Sequence, residues 1–396
     1  MSDAYSHRDR CAIVGIGATD FSSDSGRSDL TLATQASLAA IDDAGLRPRD
    51  IDGIIRCDHD LVRHNDLAES IGVQNLTYWS TVGPGGVAPC AMVGHAVAAI
   101  MSGQATAVLA YRSLNGRSGR RYGASPVVDG ANEVGGQMSY DEFFNPYGLL
   151  TPGQMFALMA QRHMIEYGTT QEHLGAIALA CREQANRNPA AQMHDRTLSM
   201  DQYLGARAIS RPLLLYDFCL ESDGACAVVV TSAERARDCP KPPALIRAVA
   251  QGSGPRVQPG MMFPILTRES ITSLPAARTA QVLYERAGLG PNDIDVAQFY
   301  DCFTITVLLQ LEDYGFCGRG EGGPFAASGA IRPEGRLPIN TAGGHLSEGY
   351  VHGMNLVLEG VRQVRGESTS QVPGAEVCLV TSAPPPGSSA LILRAA

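Results

Sequence analysis

AGLRPRDID, residues 44–52, returns as AGLGPNDID at residues 287–295. Each copy follows a segment of helical periodicity and precedes a short strand-like run, at 53–55 and at 296–299. In both copies the glycine is suited to end a helix, and the proline and aspartates after it are suited to a turn. A match of this quality at corresponding places predicts two related halves in which strands and helices alternate.

A second pair of segments supports this duplication. Helix-like stretches at 87–103 and 351–366 each follow a Gly-Gly pair, and each ends at a glycine before a strand-like run. Strands that alternate with helices are typical of layered α/β proteins with buried sheets. The sequence therefore predicts an α/β fold.

Residues 113–205 interrupt the pattern. They begin with a part rich in Gly, Ser, Asn and Tyr, which is followed by an amphipathic, Met-rich segment at 152–167. The next segment is typical of a helix, with Thr169 or Thr170 as its N-cap. We predict that this region is an insertion of loops and helices that covers the active site.

The first half is expected to resume at 211–232. There an apolar run, a turn at 221–224 and a second apolar run predict a pair of strands. The predicted division of the chain is an N-terminal half at 1–112 and 206–245, the inserted region at 113–205, and a C-terminal half at 246–396.

Composition and charge argue against several classes of protein. The net charge is −9 and no basic run reaches five residues, so nucleic acid is not an expected partner. No stretch is apolar for long enough to span a membrane, and the polar start MSDAYSHRDRC lacks a secretory signal, which favours a cytoplasmic location. The ten cysteines form no CxxC pair, so buried thiols are expected and a structural zinc site is not.

Seven motifs along the chain point to one family: VGIGATDF (14–21), AGLRPRDID (44–52), SDGACAVV (222–229), AGLGPNDID (287–295), YDCF (300–303), NTAGGHLSEGYVHG (340–353) and GSSALIL (387–393). Together they resemble the thiolase superfamily, in particular the sterol-carrier-protein-type thiolases. Within that branch the chain resembles the lipid-transfer-protein-type aldolases of bacterial steroid side-chain degradation. The resemblance implies a thiolase fold, in which two related βαβ-rich halves form a five-layered α-β-α-β-α sandwich.

The departures from the thiolase pattern decide the expected chemistry. Counting back from the shared ending at 100–103 places the nucleophilic cysteine of thiolases at Gly86, which cannot form an acyl-enzyme. Tyr350 replaces the catalytic histidine, and Tyr300 replaces the histidine of a His-Asp-Cys-Phe motif; both match tyrosine positions of the steroid aldolases. The second thiolase cysteine is missing from the loop at 381–389.

Thiolysis and Claisen condensation need a thiolate nucleophile, whereas a retro-aldol cleavage does not. It needs a base for a β-hydroxyl proton, stabilisation of a thioester enolate, and an acid that protonates the enolate carbon. No cofactor is expected, because CoA is part of the substrate. The sequence therefore favours a carbon–carbon lyase that acts on an acyl-CoA.

Tyr300 and Tyr350 are the expected acid–base pair, with no division of roles between them. Only about one phenol in a thousand is ionised at pH 7, so a tyrosine base needs nearby donors, positive charge or a water relay. The other expected site residues are His345 and His352 beside the tyrosines, Asp301 as the group that orients its neighbours, and Gly86, Gly343 and Gly344 as backbone donors to the substrate oxygen. No metal ligand is among them.

Structural roles remain open for several of these residues. A tyrosine in an apolar run or a histidine in a loop is often only part of the packing. Asp301 can instead be the N-cap of a helix at 304–315. Cys90, Cys302 and Cys378 are the thiols for which a chemical role stays open.

The resemblance also implies a substrate and partners. The substrate would be a β-hydroxyacyl-CoA, a 17-hydroxy steroid side-chain CoA ester that is cleaved to a 17-ketosteroid and propionyl-CoA. The apolar segment 146–160 would line its pocket or form a dimer contact. A homodimer is expected, joined by a small partner protein with an OB-fold and a zinc ribbon to give a heterotetramer.

Two other functions compete with the lyase. A thiolase-like acyltransferase would use Cys90 or Cys302 as its nucleophile, and trapping of an acyl-enzyme would reveal it. A degenerate thiolase can also serve as a non-catalytic subunit that binds lipid or acyl-CoA, and it would bind without turnover.

Overall fold

Strands and helices alternate through both halves of the chain. The computed structural model describes residues 5, 7–119, 121, 144–254, 266, 268–382 and 385–396. The first elements are β1 (Cys11–Ala18), α1 (Asp29–Asp43), β2 (Gly53–Cys57), α2 (His64–Ile71), β3 (Tyr78–Val82), α3 (Ala88–Met101) and β4 (Ala107–Asn115). They are followed by α4 (Pro152–Tyr167), α5 (Gln171–Arg187), α6 (Met200–Leu204), β5 (Ala208–Ser210), β6 (Leu213–Leu214), β7 (Asp223–Ser232) and α7 (Ala233–Ala236). The last elements are β8 (Ala244–Gly252), α8 (Ala276–Ala287), β9 (Val296–Gln298), α9 (Thr304–Asp313), α10 (Gly322–Ala327), α11 (Gly344–Ser347), α12 (Met354–Arg365), β10 (Val377–Ser382) and β11 (Ser388–Arg394).

The main sheet shows the predicted duplication in its strand order. Its described strands run β3-β2-β4-β7-β1-β8-β11-β10-β9, so β1-β7-β4-β2 in the first half is mirrored by β8-β11-β10-β9 in the second. The halves join where Ala12 pairs with Leu245 and Ile13 with Ala244, in antiparallel register. β1 is therefore the structural counterpart of β8, and β2 that of β9.

The contacts of the helices with the two halves of the sheet define the layers. Helices α3 and α12 contact strands of both halves and form the middle layer, whereas α1 packs mainly on strands of the first half and α8 on strands of the second. The sequence of α3, APCAMVGHAVAAIM, is apolar on nearly all sides, as a helix between two sheets requires. The predicted layered α/β fold of two related halves is confirmed. No described helix is long and apolar enough to cross a bilayer.

The repeated motif performs the same task twice. Gly45 follows the end of α1, and Gly288 is the C-cap of α8. Both have φ +67°, a backbone conformation that favours glycine. The carboxylate of Asp52 then accepts the N–H groups of Thr106 and Ala107 at 2.9 Å, where β4 begins. Asp295 accepts the N–H of Val377 at 2.9 Å, at the start of β10. The two copies of the sequence motif thus make equivalent hydrogen bonds in the two halves.

The predicted strand pair at 211–232 is wrong. β6 pairs with β5 instead, and residues 215–217 form a 3₁₀ turn before β7 begins at Asp223. The Asp217 carboxylate fixes this turn, because it accepts the hydroxyl groups of Tyr203 at 2.7 Å and Thr304 at 2.6 Å. A short apolar run fits a strand and a buried turn equally well, and the sequence pattern alone could not separate them.

The helices of the region at 113–205 pack over the second half. α4 contacts α9, and α5 contacts α9, α10 and α11. Thr170 is the N-cap of α5, one of the two residues predicted for that position. Residues 120 and 122–143, which belong to the Gly- and Ser-rich part, lie outside the described residues.

Candidate active site

The two tyrosines singled out by the sequence meet in the structure. Tyr300 follows β9 and Tyr350 follows α11, and their hydroxyl oxygens lie 2.9 Å apart. This is hydrogen-bond distance for two hydroxyl groups, and either can be the donor. The fold thus brings two phenols that are 50 residues apart in sequence into one direct contact.

Gly86 lies directly beneath the hydroxyl of Tyr300. A Cβ atom built at Gly86 would be 2.1 Å from that hydroxyl oxygen and 2.6 Å from the ring carbon that bears it. The phenol therefore fills the space in which the side chain of a nucleophilic cysteine would begin. Gly86 is in the first turn of a 3₁₀ helix that runs into α3, and it precedes Val87, whose N–H donates to the Pro84 carbonyl at 2.9 Å. The N–H of Gly86 is therefore a donor that the helix itself does not use.

Backbone contacts hold Tyr300 in place. Its N–H donates to Thr381 Oγ1 at 2.9 Å, and its carbonyl accepts from Thr306 Oγ1 at 3.0 Å and Gln310 Nε2 at 2.8 Å. These partners come from β10 and α9, so two elements fix the backbone that carries the phenol. Burial raises the pKa of Tyr300 well above its usual value, and the phenol stays protonated.

Tyr350 is held from the first half of the chain. Its N–H donates to the hydroxyl of Ser222 at 3.0 Å, and Ser222 belongs to the Ser-Asp-Gly motif that opens β7. Unlike Tyr300, Tyr350 is only partly buried. One phenol of the pair is therefore enclosed and the other faces the open side of the site.

Asp301 is buried and organises the loop that carries Tyr350. Its carboxylate accepts the N–H groups of His345 at 2.8 Å and Leu346 at 3.1 Å. Burial raises the pKa of Asp301 to about 6 despite these donors. The alternative in which Asp301 caps α9 is wrong, because Phe303 occupies that N-cap position. Asp301 thus holds two N–H groups of this loop, and its expected role at the active site stays a prediction.

His345 lies behind the two phenols. Its ring centroid is 4.7 Å from that of Tyr300 and 5.0 Å from that of Tyr350, with the rings nearly perpendicular. Burial lowers its pKa to about 3, so the imidazole is neutral. Neither ring nitrogen has a hydrogen-bond partner among the described residues; Nδ1 is 3.3 Å from an Asp301 oxygen, but the ring is not oriented to bond it.

His352 stands beside Tyr350, with ring centroids 5.2 Å apart. Its backbone has φ +50°, which is rare for a residue other than glycine. Arg112 Nε donates to its Nδ1 at 3.1 Å, and the Arg112 guanidinium is also paired with Asp60 at 2.8 Å. The sequence interpretation missed Arg112 and Asp60. The available signal was an arginine within the otherwise apolar run of β4.

Gly343 and Gly344 are not brought to the site as donors, and this correction has a structural reason. The N–H of Gly343 already donates to the Asn340 carbonyl at 2.7 Å. A Cβ at Gly344 would lie 2.2 Å from an Asp301 carboxylate oxygen, so this glycine makes room for that carboxylate. Neither residue lines the cavity that opens above the phenols.

No described thiol is poised as a nucleophile. Cys90 is buried away from the cavity, its Sγ lies 3.5 Å from the Val380 carbonyl, and burial raises its pKa to about 12. Cys378 is buried within β10, where burial raises its pKa well above the usual value. Cys302 lines the cavity together with Cys219, which the sequence interpretation overlooked, and burial raises the pKa of both. A thiolate is disfavoured at all four positions.

The cavity above the phenols has a volume of about 980 Å³. This volume is at the upper end of ligand pockets, and most of the wall is apolar. The segment at 146–160 contributes to this wall, as one of its two predicted roles required. The residues that line the cavity include Gly86, Tyr300, Tyr350, His352, Leu150, Pro152 and Phe156.

Among the described residues, Cys57, Asp58 and His59 form a group in which three ligand atoms of the metal-binding type lie within 4.8 Å of one another. Their arrangement is explained without a cation. Asp58 Oδ1 is 2.8 Å from His59 Nδ1 and accepts the Gly85 N–H at 2.9 Å, which positions the turn before Gly86. The expectation that the protein uses no metal stays a prediction.

Known proteins are similar in sequence to this chain over most of its length. A family model described as thiolase C-terminal domain-like matches residues 263–393. A steroid side-chain-cleaving aldolase of Thermomonospora curvata is 45% identical over 385 residues, which are 97% of each chain. The 17-hydroxy-3-oxo-4-pregnene-20-carboxyl-CoA lyase of Mycobacterium tuberculosis is 44% identical over 387 residues, 97% of this chain and 99% of that one. The chain belongs to the thiolase superfamily.

Two solved structures show how closely this chain resembles known members of the superfamily. The structure of an Ltp2-ChsH2(DUF35) aldolase contains a chain that is 44% identical and superposes with a TM-score of 0.91, covering 98% of both chains. Human mitochondrial 3-ketoacyl-CoA thiolase, at 14% identity and a TM-score of 0.70, shares the fold. The predicted resemblance to the steroid aldolase branch of the thiolase superfamily is confirmed.

Proposed function

We propose that this protein is a carbon–carbon lyase that cleaves a 17-hydroxy steroid side-chain CoA ester by a retro-aldol reaction, giving a 17-ketosteroid and propionyl-CoA. The observation that carries this proposal is the hydrogen-bonded pair of phenols over Gly86. The relatives named as a steroid side-chain-cleaving aldolase and as a steroid CoA lyase supply the substrate class.

The phenol pair supports a proton relay. Tyr350 takes the proton of the β-hydroxyl while it passes its own proton to Tyr300, and Tyr300 passes its proton to the α-carbon. As the bond between the α- and β-carbons breaks, its electron pair gives the thioester enolate character and forms the new C–H bond in the same step, and the hydroxyl oxygen becomes the ketone oxygen. Each phenol is neutral before and after the reaction.

This relay answers the difficulty that a tyrosine is a poor base. A free phenolate is scarce at pH 7, and burial makes it scarcer at Tyr300. In the relay neither phenol has to persist as an anion, because each accepts a proton as it gives one up. The 2.9 Å contact between the hydroxyl groups makes the middle transfer direct.

The positions of the two phenols support a division of roles. The hydroxyl of Tyr300 occupies the place of the thiolase nucleophile, which in that family contacts the acyl group, so we assign Tyr300 to the α-carbon. Tyr350 lines the cavity and, unlike Tyr300, is only partly buried, so we assign it to the β-hydroxyl on the steroid. Asp301 and His345 would act by holding the loop and the phenol rings. The reaction needs no cofactor beyond the CoA of the substrate.

The proposed assembly is a homodimer with a partner protein. Within the described part of the sheet β3 is an edge strand, and Trp79 on this strand is 57% exposed. An exposed edge can pair with the same strand of a second copy. The related aldolase of known structure is named for two components, Ltp2 and ChsH2(DUF35), which supports a partner protein. The resemblance to the steroid aldolases is the ground for proposing that this partner has an OB-fold and a zinc ribbon and that the assembly is a heterotetramer. We propose a cytoplasmic location in a bacterium, because the relatives are bacterial enzymes.

The test is cleavage by the complete complex. The chain should be co-expressed with any small OB-fold protein that is encoded beside it, and the steroid CoA ester should yield equal amounts of 17-ketosteroid and propionyl-CoA. Intact-mass spectrometry during turnover separates the alternatives. An acyl adduct on Cys302 or Cys219 would overturn the lyase in favour of an acyltransferase, and tight binding without products would favour a binding subunit.

A further inference from the structure

Arg112 is an unusual residue for the middle of a protein. It lies on β4 with none of its surface exposed, and it reaches across to His352, 240 positions later in the chain. Taking a guanidinium out of water costs several kcal/mol, and a buried ion pair seldom returns that cost as stability. The contacts of Arg112 must therefore explain why a charged side chain is buried at this position.

Asp60 fixes the orientation of this guanidinium. Its Oδ1 accepts from Arg112 Nη1 at 2.8 Å and from the N–H of Ser113 at 2.8 Å, while Oδ2 accepts the N–H of Cys57 at 3.1 Å. Asp60 is 5% exposed. Because every one of these partners is part of β2 or β4, the guanidinium has no freedom to turn away from His352.

This contact determines which nitrogen of His352 carries the proton. Arginine Nε is always a donor, so Nδ1 of His352 must offer its lone pair over the 3.1 Å contact. Burial and the positive charge of Arg112 lower the pKa of His352 well below its usual value, so the ring is neutral. A neutral ring that accepts at Nδ1 carries its hydrogen at Nε2.

The placement of His352 gives this hydrogen a use. The ring lines the cavity beside Tyr350, and its backbone is held in the left-handed region at φ +50°. Backbone strain of this kind in a residue other than glycine is typical of functional sites. The developing enolate oxygen needs hydrogen-bond donors. The N–H of Gly86 is one candidate at the cavity, the N–H of Gly343 is already donated to Asn340, and His352 supplies a second candidate. A neutral imidazole is an effective electrophile for an enolate oxygen.

We infer that Arg112 is a positioning residue that holds His352 as the Nε2–H tautomer, so that His352 donates a hydrogen bond to the thioester oxygen as the enolate forms. This inference rests on the proposed lyase function. It adds to the phenol relay a donor for the oxygen and a buried ion pair that sets the tautomer of this donor.

Neutron diffraction from deuterated crystals of the complex tests the tautomer without any turnover. The wild-type protein should show a deuteron on His352 Nε2 and none on Nδ1. The Arg112→Met variant should lose this preference. Protonation of Nδ1 in the wild-type protein would overturn the inference.

Kinetics of the complex test the role of the donor. His352→Ala should lower kcat about 10²- to 10³-fold, the usual loss for one oxyanion donor. His352→Gln, which can place an amide N–H near the position of Nε2, should recover at least tenfold of this loss. Arg112→Met should lower kcat at least tenfold with little change in KM. Arg56→Met is the matched control and should leave kcat unchanged, because Arg56 contacts the Asp60 carbonyl at 2.8 Å but not His352.

Two failures are distinguishable. If the wild-type complex does not cleave the steroid ester, the proposed function fails, while the diffraction experiment still judges the tautomer. If the wild-type complex cleaves and His352→Ala keeps the full kcat, the lyase stands and the inference about Arg112 and His352 is wrong.

Discussion

The hydroxyl of Tyr300 lies 2.1 Å from the point at which a side chain on residue 86 would begin. A Cβ and this phenol cannot occupy that space together, so the glycine and the tyrosine are one coupled feature. The change from thiolase to lyase chemistry therefore needs both substitutions. A cysteine restored at position 86 would displace the phenol and could not regenerate a thiolase site.

Gly86→Ala should show whether the contact between residue 86 and Tyr300, rather than a nonspecific loss of stability, determines the activity. We expect loss of at least 10²-fold in kcat and a destabilisation of about 1–3 kcal/mol, because the methyl group forces Tyr300 to move. Thermal unfolding and turnover of the complex measure the two effects. Tyr300→Val removes the obstacle, so Gly86→Ala should cost much less stability in that background. Gly252→Ala is the control, since a Cβ there meets no atom within 4 Å.

Removal of either phenol hydroxyl should lower kcat about as much as removal of both. If the relay runs through the 2.9 Å contact, Tyr300→Phe and Tyr350→Phe each break it, and each should lower kcat by about 10²- to 10⁴-fold. The double variant should be little worse than either single variant, because groups that act in one chain are not additive. Product formation under single-turnover conditions is the measurement. Full activity in either single variant would eliminate the relay.

The sequence predicted those parts of the protein that depend on pattern and position. The repeats at 44–52 and 287–295 and the apolar run of α3 are local, so they indicated the two halves and the layers before any contact was known. The tyrosines were found because they stand at fixed positions in recognisable loops. Their meeting at 2.9 Å is what the fold adds.

The sequence failed where a long-range partner decides the outcome. Arg112 and His352 are 240 residues apart, and no spacing rule connects them. Gly343 was expected to be a donor because Gly-rich turns often expose N–H groups, but the turn directs this N–H to Asn340. Both outcomes depend on the three-dimensional course of a loop, which composition does not encode.

Glu348 gives the protein a predicted dependence of stability on pH. Its side chain is buried beside Asn355, whose Nδ2 donates to it at 2.9 Å, and burial raises its pKa to about 8 from an unfolded value of 4.5. A folded pKa above the unfolded one means that the folded protein holds the proton more tightly. The stability from this group is therefore complete below about pH 4.5 and is lost as the pH rises towards 8.

Glu348→Gln should remove this dependence. At pH 8 we expect the variant to be more stable than the wild-type protein by on the order of 3 kcal/mol, and the difference should vanish near pH 4. A smaller decline between pH 4 and 6 should remain, because burial also raises the pKa of Asp301, to about 6. Thermal melting across this range measures both effects. Glu334→Gln, on the surface, should have the pH profile of the wild-type protein; a variant E348Q with that same profile would contradict the assignment.

Asp52 and Asp295 test whether the two halves are equivalent in energy as well as in geometry. Asp52 accepts two backbone N–H groups and the Thr106 hydroxyl at 2.8 Å, whereas Asp295 accepts the N–H groups of Glu376 and Val377, both at 2.9 Å. A hydrogen bond to a charged group contributes about 1.5–3 kcal/mol, so Asp52→Asn and Asp295→Asn should each destabilise the protein measurably, and Asp52→Asn more. Because the two carboxylates serve opposite halves and share no partner, their effects should add in the double variant within about 0.5 kcal/mol. Two unfolding transitions, each shifted by only one substitution, would instead mean that the halves unfold separately despite the helices they share in the middle layer.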